Sequence, residues 1–334
     1  MIHNFFCATQ DVAIDALAVG VLRGDERGLG NGFMFGGQYV GQAIGGSGVL
    51  FLAPHIGFSS TFFMVAGAIA AILLLVALPL REQPGPPRPL LPGPRLRAVG
   101  LELARFVREA LRSFVGTRAA LVAVGVALLP IGAYALGLAL QSNLAVELGL
   151  DDTEIGWLTL GTTILSAVFC VLGGWLSDRF GRRRMIALFV LGMSIPTVIL
   201  AIGMKHHGWI LPVSPTLADR PVPPAALVSL FWAMVWTYAV FQGLMYGSST
   251  ALFMDVTNPR VAATQFTAYM AMSNFALSYS ATWQGASAQR WGYPTTLGID
   301  AAFGLACILL MPLMGRLRKG EPPPAGAAIP EAVR

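Results

Sequence analysis

Charge is scarce in this chain. Asp, Glu, Lys and Arg make up 12% of its 334 residues, against 55% hydrophobic residues. A water-soluble domain carries about twice that charged fraction, so a purely soluble protein is excluded. Cysteine is scarcer still, with Cys7, Cys170 and Cys307 the only three. All lie within apolar runs, without disulfide-framework or metal-ligand spacing, and read as small buried apolar residues. No nucleophile elbow, HExxH pair or Walker A loop is present, so neither an enzyme nor a built-in ATPase is expected. No cofactor or metal is expected either, and His206 and His207 read as surface residues of the proline-bearing loop 205–224. Residues 1–20 lack a basic start and carry Asp11 and Asp15, so no cleavable leader is read there.

The sequence does contain apolar runs of membrane length. A transmembrane helix needs about 20 mostly apolar residues. Such runs fall near 2–22, 31–53, 60–80, 119–141, 155–177, 185–204, 225–253, 261–288 and 294–315. The expected fold is an all-α, polytopic helical bundle of about nine spans, in which every backbone polar group is satisfied within the protein. The net charge of +5 is no nucleic-acid footprint, because the arginines fall in alternate loops. Arg23 and Arg27 follow span one, eight arginines lie between spans three and four, and Arg179 and Arg182–Arg184 follow span five. Arg260 follows span seven, and Arg316, Arg318 and Lys319 follow span nine. The positive-inside rule then puts the C-terminus in the cytoplasm, and nine spans put the N-terminus outside. The expected setting is the inner membrane, with a lipid bilayer around a monomer.

The organisation divides at the one long basic connection. Residues 1–80 form a partial first bundle, 81–118 a linker, 119–319 a six-helix bundle and 320–334 a Pro/Ala-rich disordered tail. The linker opens on Pro84-Gly85-Pro86-Pro87. Its residues 96–115 alternate apolar positions with Arg97, Arg105, Arg108 and Arg112 at helical spacing, which suits a helix on the inner leaflet.

Polar residues inside apolar runs are the candidates for function. Asp11 and Asp15 are one turn apart on span one, beside Gln10. Carboxylates at bilayer depth are costly and normally face a cavity or a partner. Repulsion between two of them favours protonation of one, making a candidate proton carrier. Span two is dense in glycine, and Gly37, Gly41 and Gly45 form a ridge for close helix approach, with Gln38 and Gln42 beside it. Tyr134 and Gln141 on span four, Tyr238, Gln242 and Tyr246 on span seven, and Tyr269 and Asn274 on span eight add aromatic and amide groups. Together these suit a neutral or sugar-like small molecule. Asp255 ends span seven before Asn258-Pro259-Arg260. It is expected either to pair with Arg260 or to act as a gate that breaks its pair on opening.

Gly174-x-Leu176-x-Asp178-Arg179-x-Gly181-Arg182-Arg183 lies between spans five and six. It resembles the loop signature of the major facilitator superfamily, which joins helices two and three and recurs between helices eight and nine. Counting from the C-terminus makes this the second copy, so the chain would carry helices four to twelve and lack the first three. The resemblance implies close packing at Gly174, helix-dipole or arginine contacts for Asp178, a pair across an inner gate for Arg182, and the start of span two as their neighbour. Residues 6–15 and 253–266 resemble helix four and the helix ten to eleven turn of AmpG-like muropeptide permeases and their acetyl-CoA transporter relatives. The group implies proton-coupled carriage of a small solute by alternating access, with Asp11 and Asp15 in the coupling or substrate role. Acetyl-CoA, a sugar or a drug is the alternative cargo, and a truncated, non-transporting membrane protein the alternative of another class.

Overall fold

A computed structural model describes residues 2–80, 95–213, 221–258 and 261–314. The Pro/Gly run of the linker, Arg260 and the tail from 320 lie outside these residues. The first helices are α1 (Ile2–Val21), α2 (Arg27–Gln42), which runs through a π-helical stretch Ala43–Gly48 into α3 (Val49–Ile56), and α4 (Phe58–Ile72). After the linker come α5 (Arg95–Val115), α6 (Arg118–Leu128) and α7 (Ala139–Glu147). The long helices follow: α8 (Asp152–Phe180), α9 (Arg182–His206), α10 (Ala225–Val256), α11 (Ala262–Trp291), α12 (Tyr293–Gly304) and α13 (Ala306–Leu310).

Local chemistry fixes the ends. Asp151 and Glu154 form a reciprocal capping box at the start of α8, which satisfies two of the N–H groups that a helix start leaves free. Gly181 then ends α8 at φ 96°, a backbone region that glycine enters without strain. Thr117 caps α6 by accepting the Ala120 N–H at 3.1 Å. The amphipathic stretch is helical as expected. α5 carries Leu103, Leu111 and Val115 in the open and meets α6 at 83°, an angle that suits a helix lying along a membrane surface.

Among the described residues, five helices are long and apolar enough to cross a membrane, or six if the bent α5–α6 pair counts as one span. The chain is thus an all-α, multi-pass membrane protein. The expected nine spans are not all reached on this criterion. Span four departs furthest, because 119–141 is not one helix. Leu129–Leu138 is broken, with only a single 3₁₀ turn at Ala135–Gly137. The cause is legible: Pro130 has no N–H and forces the residue before it to extend. Leu129 accordingly sits at φ −100°, ψ 152°.

Glycine brings the helices together. In α2, Gly28, Gly32 and Gly36 lie against the backbones of Gly174, Cys170 and Ala167 in α8. In the other direction, Gly243 and Gly247 of α10 lie against Ser166 and Cys170 of the same helix. The predicted ridge is therefore corrected. Among the described residues, Gly37, Gly41 and Gly45 have no neighbouring atom within 4 Å of where a side chain would start; the packed ridge is one residue out of phase with it. Cysteine burial also needs one correction, since Cys170 and Cys307 are buried but Cys7 is exposed.

Candidate functional site

Four charged side chains meet where α2, α8, α9 and α10 converge. Asp178, near the end of α8, accepts the Gly28 N–H at 3.0 Å and the Leu29 N–H at 2.8 Å. These are free N–H groups at the start of α2, the positive end of that helix. Arg182, one turn on, reaches back to Asp178 at 2.8 Å and donates to the Gly24 carbonyl at 2.6 Å. Its other nitrogen pairs with Asp255 at the end of α10. Arg27 completes the set with a 3.1 Å contact to Asp255 and a 3.3 Å hydrogen bond to the Met254 carbonyl. The cluster holds two positive and two negative groups, and the side chains of Arg182 and Asp178 are only 10% and 11% exposed.

The motif residues of the sequence thus stand together in part. Gly174 lies against Gly28, as the resemblance implied, and a Cβ on either would run into the other's backbone. Asp255 binds Arg27 and Arg182, so it has partners other than the expected Arg260. Arg179 points away from the cluster, over the rings of Trp175 and Phe180 at 5.5 and 5.8 Å. Gly181 ends α8 at the turn, and Arg183 is the second residue of α9. Arg27 was read from sequence only as a topology marker. Its position at the start of α2 became significant only once the fold set it beside Asp255.

A second cluster surrounds the break between α6 and α7. Tyr134 accepts the Ile131 N–H at 3.0 Å, and Tyr238 of α10 donates to the Ala133 carbonyl at 2.8 Å. Gln242 lies against Gly137. Asp300 of α12 accepts the Ala135 N–H at 2.9 Å and the Gln284 amide at 2.6 Å. Non-helical backbone at membrane depth is tolerated where protein groups satisfy it or a cavity abuts it. Tyr134, Tyr238 and Gln242 were predicted site residues, and the fold brings them together. Asp300 was missed, although a carboxylate within an apolar run is part of the signal that drew attention to Asp11 and Asp15.

The remaining candidates scatter. Tyr246 packs on Phe35 and Tyr39 of α2, with centroids at 5.8 and 6.4 Å. Asp15 is half-buried against Thr267 where α1 meets α11, whereas Asp11 and Gln10 are exposed. Gln38, Gln42 and Asn274 are also exposed, and Gln141 is half-buried. Tyr269 is a correction. It is fully buried, bonded to Gln265 at 3.0 Å and to the Ala120 carbonyl at 3.2 Å, and stacked on Phe253. Its surroundings are those of a core residue, not of a cavity wall. An open apolar recess of about 390 Å³ is lined by Ala43, Ser47, Phe51, Met64 and Leu160 and holds none of the predicted polar residues.

Comparison with known proteins yields two findings. A family model described as the Major Facilitator Superfamily matches residues 122–333. The anhydromuropeptide permeases of Escherichia coli strain K12 and of Escherichia coli O157:H7 are each 26% identical over 315 residues, covering 92% of this chain and 57% of their own length. The chain therefore spans little more than half the length of these relatives.

Proposed function

The chain belongs to the major facilitator superfamily, and from that premise we propose that it serves a secondary transporter moving a small polar solute of the muropeptide kind by alternating access. The observation that carries this reading is the four-charge cluster. Arg182 and Asp178 sit at the turn between α8 and α9, and they hold the start of α2 and the end of α10. A carrier needs such a contact, strong enough to close one end and breakable without unfolding either side. The surplus of arginine near this end supports a cytoplasmic position for it and for the C-terminus.

The cargo assignment draws on the two permeases named above. Proton coupling draws on Asp15, a carboxylate held between α1 and α11 rather than within one group of helices. A proton taken up there changes the charge at a contact that alternating access would open and close. The predicted aromatic and amide residues at the α6–α7 break supply polar groups that could meet a polar cargo once the bundles part.

Uptake of radiolabelled anhydromuropeptide into vesicles bearing the full-length protein tests this directly. Accumulation is expected in the wild type and is expected to vanish when the proton gradient is collapsed. Asp15→Asn should remove gradient-driven accumulation, and the exposed Asp11→Asn should weaken it less. Wild-type vesicles that bind but never accumulate the solute would sink the muropeptide reading.

A further inference from the structure

Asp300 is 1% exposed and lies seven residues into α12, about 10 Å from the start of that helix. It takes no part in any ion pair among the described residues. Among the described residues its hydrogen bonds come from neutral donors, the Gln284 amide and the Ala135 N–H. A buried carboxylate without a cation is among the costliest groups a membrane protein can hold. The Tyr238 hydroxyl faces it from α10, and the Tyr134 backbone N–H lies toward it from the break. The Cys307 thiol is buried one turn beyond Gly304 and donates to its carbonyl. α9, packed along α12, carries its charges only at its two ends, Arg182–Arg184 and Lys205–His206. α11 has Arg290 at its exposed end, and Glu147 of α7 is taken by Tyr293 and the Val213 N–H.

Gln284 supplies a second, independent observation. It is wholly buried, and among the described residues its carbonyl oxygen has no hydrogen-bond partner. One turn earlier on α11 the buried Ser280 hydroxyl is also without one. An amide offers two donors on one side and an acceptor on the other. With its nitrogen toward Asp300 it serves the carboxylate. Turned by half, it presents the now idle oxygen to a carboxylic acid O–H.

We propose that Asp300 and Gln284 form a proton-binding site at the junction of α11, α12 and the α6–α7 break. Binding adds one proton to a carboxylate oxygen, forms one O–H bond and leaves every other bond intact. The proton replaces a charge-assisted hydrogen bond to Ala135 N–H with a neutral one, roughly half as strong. Ala135 follows Tyr134 directly, so occupancy of this site is tied to the shape of the segment that carries Tyr134 and abuts Tyr238 and Gln242. The coupling role rests on the transport reading above, whereas proton binding itself does not.

Infrared difference spectra of the reconstituted full-length protein, recorded between acid and alkaline pH, test it. A carboxylic-acid carbonyl band should appear on acidification and be missing in Asp300→Asn. Gln284→Leu should shift that band without abolishing it, and it serves as the second reading if Asp300→Asn fails to fold. Solute exchange without a gradient should persist in Asp300→Asn while gradient-driven accumulation falls to the equilibrium level. Overturning results are a band unchanged by Asp300→Asn, a band that does not titrate, or gradient-driven accumulation intact in that variant. If the wild type shows the titrating band but takes up no solute, proton binding stands and the transport reading falls.

Discussion

Cys170 is expected to react with a small maleimide roughly 10²- to 10³-fold faster once Arg182 is replaced by alanine. Among the described residues Arg182 is the one cation paired with Asp178 and shares Asp255 with Arg27, so its removal leaves the buried Asp178 without a counter-charge, at a cost of about 3–5 kcal/mol. Each factor of ten corresponds to about 1.4 kcal/mol, so the contact between α2 and α8 should open in that proportion. Cys170 is a native reporter for this opening. It is fully buried, and its backbone touches Gly32 of α2 on one side and Gly247 of α10 on the other. Cys307, buried among α12, α13 and the break, should stay slow throughout, and the exposed Cys7 is first changed to serine. Arg182→Lys should fall between wild type and alanine. Lysine keeps the charge but cannot reach Asp178, Asp255 and the Gly24 carbonyl with one planar group. Arg27→Ala should accelerate labelling less, because Arg27 is more exposed and touches only one of the two carboxylates. Uptake should fall in the same order. Unchanged Cys170 labelling in Arg182→Ala would mean that the cluster holds nothing shut.

That ordering follows from geometry that no sequence pattern contained. The turn Gly174–Arg184 was legible because its residue types and spacing are unusual and local. So were α5, from its amphipathic period, and the α8–α9 boundary, from Gly181. The membrane character followed from composition alone. Other features depended on which surfaces meet across long sequence separations. Arg27 and Asp255 are 228 positions apart, and nothing near either residue announces the other. Asp255 was expected either to pair with Arg260, which lies outside the described residues, or to act as a gate; the fold brings it two guanidinium groups from distant parts of the sequence. Tyr269 looked like a cavity residue because polar aromatics in apolar runs are conspicuous. Its hydroxyl instead joins Gln265 and the Ala120 carbonyl in a satisfied core network, a distinction that depends on three-dimensional neighbours. The break at 129–138 was available in principle: Pro130 and Gly132, the latter at φ 109°, sit in the middle of the run. The membrane-length hydropathy of 119–141 masks both, and the position of Asp300 beside the break is hidden with them.

The glycines give the sharpest remaining test, because phase along α2 decides which of them pack. Gly174→Val should open the α2–α8 contact, and Gly247→Val should destabilise the α8–α10 pair. At Gly174 an added side chain meets the backbone of Gly28, and at Gly247 it meets the backbone of Cys170. Backbone cannot swing aside as a flexible side chain can, so the overpacking cost of about 1–3 kcal/mol is a lower bound at both places. The consequences should differ. α8 and α10 share the most extensive helix contact among the described residues, so Gly247→Val should lower the melting temperature by several degrees. Gly174→Val should leave that temperature nearer the wild-type value while raising Cys170 labelling, because it separates α2 from α8 and leaves α8 on α10. Gly298→Ala is the control. Its position on α12 faces open space, so alanine there should be neutral or stabilise by about 0.5–1 kcal/mol through helix propensity. Equal losses of melting temperature in Gly174→Val and Gly247→Val would show that α2 is an integral part of one cooperative unit with α8 and α10. The charged cluster would then be a structural staple instead of a latch.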